Sequence, residues 1–330
     1  MTLLRIRDLR TWISTLDGVA RAVDGVDLDV GEGEAVGIVG ESGSGKSMLA
    51  LSVPGLLPRP GGRIVCGSSI RFRGRELVGA SEADVRRIRG GEVAMVFQEP
   101  MTSLNPVLTV GSQVRESLEL HRGLKGKAGR EEAARLLGEV GIPEPGRRLD
   151  AYPHQLSGGM RQRVMIAMAL AGDPALLIAD EPTTALDTTV QARILALLDE
   201  IRRLRGMALL LVSHDLATVG RVCDRMVVMY AGRIMEEGST DVLLTSPAHP
   251  YTQGLLASRP ARGDGGRVLE PIPGEVPEAT DWPGGCRFHP RCRHAWDLCR
   301  EREPESARGT WGGSRIRCWL REEGGGRDAG

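Results

Sequence analysis

Gly40-Glu41-Ser42-Gly43-Ser44-Gly45-Lys46-Ser47 fits the pattern G-x-x-x-x-G-K-[ST] at every defined position. An apolar stretch from Glu34 to Val39 precedes it, and a helical pattern from Lys46 to about Leu56 follows. Glycines at this spacing let the backbone curl so that successive N–H groups point inward at phosphate oxygens. The start of the helix adds partial positive charge. Lys46 then reaches the β- and γ-phosphates of a nucleotide, and the Ser47 hydroxyl can ligate Mg²⁺. Ser42 and Ser44 either bond phosphate or serve as small turn residues. Further along, Leu176-Leu177-Ile178-Ala179 leads into Asp180 and Glu181. Asp180 suits the Mg²⁺ shell, and Glu181 suits the polarisation of an attacking water. His214 follows the apolar run Met207 to Val212 and is disposed to contact the γ-phosphate. Gln98 follows the strand-like Val93 to Phe97 and can bond the attacking water or Mg²⁺. An isolated His, Gln or acid pair carries little information; these gain meaning from the phosphate loop.

The elements that must hold these groups are legible in outline. Short apolar strands (Glu34 to Val39, Ala175 to Ala179, Met207 to Val212) alternate with helical patterns. Val190, Ile194, Leu197, Leu198, Ile201 and Leu204 recur at helical spacing within Thr188 to Leu204. Ser157 to Ala171 reads as a helix capped by Ser157. Arg225 to Tyr230 and Gly232 to Glu236 read as a hairpin, Arg122 to Arg130 as a loop, and Pro143 to Arg148 as a break. This alternation predicts an α/β fold with a parallel core.

Composition narrows the function. The chain has 330 residues, enough for one large domain and a small one. Its 43 Lys and Arg balance 43 Asp and Glu, which argues against a nucleic-acid partner bound through its phosphates. No apolar run approaches the roughly 20 residues of a membrane-spanning helix, and the charged N-terminus is unlike a signal peptide. The expectation is a cytoplasmic chain. Aromatic residues are only 3%, so aliphatic side chains must carry the core. Helical periodicity gives way to Pro and Gly from about residue 259, where a domain boundary is predicted.

Leu156-Ser157-Gly158-Gly159-Met160-Arg161-Gln162-Arg163 resembles the L-S-G-G-Q signature of ABC ATPases, with Met160 in place of the last Gln. A Ser and two glycines at a helix start form a second anion-reading surface in a chain that already has one. The family resemblance implies that Ser157, Gly158, Gly159 and Met160 contact ATP held by a partner subunit. It also implies that Gln98 lies in the Q-loop, Ala185-Leu186-Asp187 in the D-loop, and His214 in the H-loop. Trp12 is the candidate for the adenine-stacking aromatic, with Ile13 the alternative for that position. The fold implied is a P-loop, RecA-like ABC ATPase core over residues 1 to 258, with an inserted helical subdomain at about 100 to 171.

A narrower resemblance appears in Pro247-Ala248-His249-Pro250-Tyr251-Thr252, Ile272-Pro273-Gly274-Glu275-Val276-Pro277 and Gly285-Cys286-Arg287-Phe288-His289-Pro290-Arg291-Cys292. These segments look like those of oligopeptide and dipeptide importer ATPases, and the signature region from Pro153 to Leu170, with Met160, is similar to the D type of the two ATPases in such importers. The resemblance implies a heterodimer with an F-type ATPase, two transmembrane permease subunits and an extracytoplasmic solute-binding protein. It places the chain on the cytoplasmic side of the plasma (inner) membrane. Peptides are the implied cargo; nickel or other small-solute importers share the motifs. A chromosome-maintenance ABC ATPase would need a long insertion between phosphate loop and signature, where only about 110 residues intervene. A ribosome-associated factor would need two ATPase units, and no internal repeat is present.

Cys286, Cys292, Cys299 and Cys318 are spaced C-x5-C-x6-C-x18-C. Four thiolates could hold Zn²⁺ or a [4Fe–4S] cluster, or the residues could be four reduced cysteines. The spacing lacks the tight C-x-x-C pair of zinc ribbons and favours iron–sulfur, and the family resemblance points the same way. His289 and His294 are spare potential ligands. Cys66 and Cys223 stand apart. The expected cofactors are therefore ATP, Mg²⁺ and a [4Fe–4S] cluster, with Zn²⁺ the alternative.

Overall fold

The computed structural model describes residues 1–97, 103–183, 187–258, 271–308 and 313–321. They fall into two compact units, one comprising Met1–Leu3, Val30–Ala35 and Gly79–Val212, the other Leu4–Asp29, Val36–Val78 and Ser213–Gly330. The strands are β1 (Thr2–Thr15), β2 (Gly18–Gly31), β3 (Ala35–Val39), β4 (Gly62–Ile64), β5 (Ser69–Phe72), β6 (Arg75–Glu76), β7 (Val93–Val96), β8 (Leu176–Asp180), β9 (Ala208–Ser213), β10 (Arg225–Tyr230), β11 (Arg233–Ser239), β12 (Ala307–Arg308) and β13 (Arg315–Ile316). The α-helices are α1 (Lys46–Ser52), α2 (Glu82–Ile88), α3 (Val110–Arg122), α4 (Gly126–Glu139), α5 (Pro145–Arg148), α6 (Gly158–Leu170), α7 (Thr188–Arg205), α8 (Leu216–Val222), α9 (Thr240–Thr245), α10 (Pro250–Ala257) and α11 (Asp297–Glu301).

The unit containing Gly79–Val212 is built on three parallel strands. β8 pairs with β7 on one side and β9 on the other. Their continuous apolar sequences fit strands buried on both faces, as a parallel sheet requires. α3, α4 and α6 pack together around Val114, Leu118, Leu136, Leu137 and Val164, all fully buried. Thr109 caps α3 by accepting from the Ser112 N–H at 3.2 Å. The loop expected over Arg122 to Arg130 is corrected: α4 begins at Gly126. Its glycines and lysines resemble loop composition, but charge pairs bind the helix surface. Glu132 bonds Arg122 at 2.6 Å and Arg135 at 2.8 Å, and its carboxyl is lowered to about 2, chiefly by Arg135. Arg205 on α7 grips Glu139 through two bonds of 2.8 Å each.

The other unit has two sheets. In one, the strands run β2-β1-β5-β6, with β4 also on β1. In the other, β3 pairs in parallel with β10, and β10 forms an antiparallel hairpin with β11. The described residues from Pro271 onward pack in this same unit, and β13 joins β11 antiparallel. Three of the few aromatics meet here: the Tyr230 ring lies 4.7 Å from Tyr251 and 5.3 Å from Phe288, centroid to centroid. The helix expected from Lys46 to about Leu56 is shorter. α1 stops at Ser52, ahead of Pro54, and Leu56 N–H closes the turn onto Leu51 O. Among the described residues no helix is long and apolar enough to cross a membrane.

Candidate functional site

β3, buried at every residue, delivers the chain into the phosphate loop, and α1 leaves from it. Two glycines are demanded by what surrounds them. At Gly40, with φ at 152°, a Cβ would sit 2.2 Å from Met229 O; at Gly45, with φ at 99°, it would sit 2.1 Å from Ala22 O. Any side chain at either position would collide with backbone. Gly232 N–H donates to Ser44 O at 3.0 Å, fixing the loop to the β10–β11 turn. Lys46 is 5% exposed, and its ammonium donates to Gly40 O and Glu41 O, both at 2.8 Å. That ammonium thus lies under the curled backbone, as a phosphate-reading lysine must. Ser44 is fully buried, and Ser47 is half-buried one residue along α1.

Trp12 lies on β1 opposite Arg63 of β4. The Arg21 and Arg63 guanidinium carbons stand 5.5 and 5.8 Å from the Trp12 ring centroid. His214 is exposed, between β9 and α8. Asp215 next to it caps α8, accepting from Ala217 N–H at 2.9 Å and Thr218 N–H at 3.2 Å, which fixes the backbone on one side of His214.

Asp180, 6% exposed, ends β8 in the unit containing Gly79–Val212. Glu181 follows in the left-handed region, with φ at 45°, its N–H bonded to Val212 O at 3.0 Å. Glutamate rarely adopts that conformation. Ser157 caps α6, its hydroxyl accepting from Met160 N–H at 3.3 Å. Ser157 and Gly158 are exposed, and Gly159 and Met160 half-buried. Asp187 caps α7, accepting from Thr189 and Val190 N–H at 3.1 and 2.9 Å. Gln98, Ala185 and Leu186 lie outside the described residues. The sequence reading thus has its phosphate loop, Trp12 and His214 in one unit and its acids, signature and Asp187 in the other.

The cysteine expectation is corrected. Cys286, Cys292, Cys299 and Cys318 line one small cavity, together with His249, Phe288, Trp296 and Trp319. Yet among the described residues no group of three or more His, Cys, Asp or Glu side chains is placed to hold a metal ion. The [4Fe–4S] and Zn²⁺ readings fall with that. All four are free thiols. Burial raises the pKa of three of these thiols, Cys292 with them, pushing Cys286 up to about 11 and Cys318 up to about 12. They pack as small, mostly apolar side chains.

Two contacts to the phosphate loop escaped the motif reading. The Tyr251 hydroxyl accepts the Glu41 N–H at 2.9 Å, and Arg291 pairs with the Glu41 carboxylate. Both residues lie within the importer-like segments quoted above, but nothing in local spacing ties them to a glycine loop far upstream.

The model of the ABC transporter family matches residues 23–184, and that of the oligopeptide/dipeptide transporter C-terminal region matches residues 235–299. The chain is 49% identical over 304 residues to the dipeptide transport ATP-binding protein DppD of Escherichia coli (strain K12), covering 92% of each. It is 47% identical over 322 residues to the oligopeptide transport ATP-binding protein AppD of Bacillus subtilis (strain 168), covering 98% of each. Among solved structures, the dimeric ATP-binding cassette MJ0796, bound to ADP and Pi after hydrolysis, superposes with a TM-score of 0.64 at 28% identity, over 72% of this chain and 99% of that one. The chain belongs to the ABC transporter ATPases, in the branch that carries the oligopeptide/dipeptide transporter C-terminal region. It is an ATP hydrolase with the ABC cassette fold.

Proposed function

We propose that this chain is the D-type motor of an importer for di- or oligopeptides. It pairs with a distinct F-type ATPase beneath two permease subunits, on the cytoplasmic face, and a solute-binding protein delivers the cargo. The observation that carries the reading is the phosphate loop, with Gly40 and Gly45 pressed against backbone carbonyls and the Lys46 ammonium buried beneath them. The high identity to relatives named for dipeptide and oligopeptide transport supports the cargo.

In this reading the loop N–H groups and Lys46 bind the phosphates, with Trp12 stacking on the adenine. Ser47, Asp180 and Gln98 are oxygen donors that would hold Mg²⁺, which would neutralise negative charge on the phosphates. Glu181 accepts a proton from the attacking water, and His214 steadies the γ-phosphate. Ser157, Gly158, Gly159 and Met160 read the nucleotide on the facing subunit, and Asp187 faces the same interface. Residues 1–258 form the nucleotide-binding domain, whose helical subdomain (about 100–171) passes motion to the permeases. The remainder, 259–330, is the extension.

The test is the complete transporter in proteoliposomes. Glu181→Gln is expected to keep ATP binding and lower hydrolysis by about 10²- to 10⁴-fold, and Lys46→Ala to lose binding. Dipeptides should stimulate hydrolysis and be taken up. Turnover by Glu181→Gln at the native rate would remove Glu181 from its role. Uptake of a nickel complex but not of peptides would overturn the cargo.

A further inference from the structure

Every polar group of Glu41, the residue after the first glycine of the phosphate loop, is held. Its N–H goes to the Tyr251 hydroxyl at 2.9 Å, and its carbonyl accepts from Lys46 at 2.8 Å. Its carboxylate takes a two-pronged grip from Arg291, Nη1 to Oε2 at 2.7 Å and Nη2 to Oε1 at 3.0 Å. Arg291 lies 250 residues further along the chain, in the C-terminal extension. Its side chain is 4% exposed, against 30% for Glu41. Arg291 is itself fixed from behind, since its Nε donates to Pro273 O at 2.8 Å and its guanidinium lies 5.7 Å from the Tyr230 ring centroid. Burial works against the charge on Arg291, but Glu41 and Tyr230 more than offset it, so the guanidinium stays protonated.

A carboxylate inside a phosphate loop is electrostatically awkward, because like charges repel strongly where water is scarce. A planar guanidinium bonded to both carboxylate oxygens removes that repulsion and also fixes the direction of the side chain. A lysine or a neutral donor would supply only part of this. We propose that Arg291 is a positioning residue for the phosphate loop: by neutralising and orienting Glu41, the C-terminal extension sets the affinity of the loop for nucleotide phosphates. The inference rests on Gly40–Ser47 being the phosphate site.

The experiment measures binding of Mg-ATP, Mg-ADP and adenosine to the full chain by titration calorimetry. The native chain comes first: if it binds no nucleotide, the phosphate-loop reading itself fails, whatever Arg291 does. Given native binding, Arg291→Gln should weaken ATP and ADP by about tenfold and leave adenosine unchanged. Raising the salt should shrink that penalty, since the exposed edge of the Glu41 carboxylate is screened. The double variant Glu41→Gln/Arg291→Gln should return to within about twofold of native. If Arg291→Gln does not fold, Arg291→Lys, which keeps charge but not the fork, should show a loss of a few-fold, and Glu41→Gln alone should bind ATP at least as tightly as the native chain. Native-strength ATP binding by Arg291→Gln would overturn the proposal. So would a double variant no better than the single, because Arg291 would then be only a strut.

Discussion

His249 is a single residue with a consequence for the whole chain. It is 1% exposed, and its Nδ1 accepts from Tyr251 N–H at 3.0 Å to cap α10. Burial lowers its pKa to about 3, so the folded chain keeps it neutral. The unfolded chain protonates the same ring near pH 6.5. Because the folded pKa is depressed, the stabilisation is complete above the unfolded value and is lost as pH falls toward the folded one. Between pH 7.5 and 5.5 the loss should be about 1.4 kcal/mol. Urea titrations at the two pH values would measure it against His249→Asn, which can still cap the helix but cannot titrate. Equal pH dependence in both proteins would refute the assignment. His249 and Tyr251 were visible in the sequence only as part of an importer-like segment, because capping and burial are properties of the folded chain.

At the level of elements, the capping of α6 can be separated from the nucleotide-reading role proposed for its start. Ser157 is both its cap and the first polar group of the signature. Aspartate caps helices as well as serine does, whereas alanine costs about 1 kcal/mol. Ser157→Ala should therefore lower stability by about 1 kcal/mol, and Ser157→Asp should leave it nearly unchanged. If Ser157 faces a phosphate across the dimer, Ser157→Asp should nevertheless remove most of the ATPase activity of the assembled transporter, by like-charge repulsion. Full activity in Ser157→Asp would confine Ser157 to capping. The start of α6 was legible because a cap followed by an apolar period is a local signal. The start of α4 was not: Gly126 and Lys127 look like loop, and the helix is held by charge pairs and by burial against α3 and α6.

On the scale of the whole molecule, a second long-range ion pair, Arg287 with Asp24, ties the chain beyond Pro271 to β2 within the unit that bears the phosphate loop. The two side chains are 7% and 12% exposed, and Trp282 covers the Arg287 guanidinium at 5.2 Å. Removing one partner of a buried pair strands the other's charge. Arg287→Met should cost about 3 kcal/mol, somewhat softened because Arg233 also reaches Asp24, at 3.5 Å. Adding Asp24→Asn should recover part of that loss. Urea midpoints of the two singles and the double give the coupling, and strictly additive losses would show that the two side chains do not act as a pair.

The motifs of nucleotide chemistry were determined by the sequence itself. Gly40 to Ser47, Asp180 with Glu181, and the helix begun at Ser157 are each contiguous, so a pattern of a few residues makes each legible. Tertiary structure alone decided the rest. It placed Arg291 on Glu41 and Arg287 on Asp24 across more than 200 residues of chain. It also set four cysteines around an apolar cavity without the convergence that a metal requires. Spacing along a chain constrains direction in space only within a helix, a strand or a tight turn. Beyond that distance, burial and charge pairing determine which residues meet.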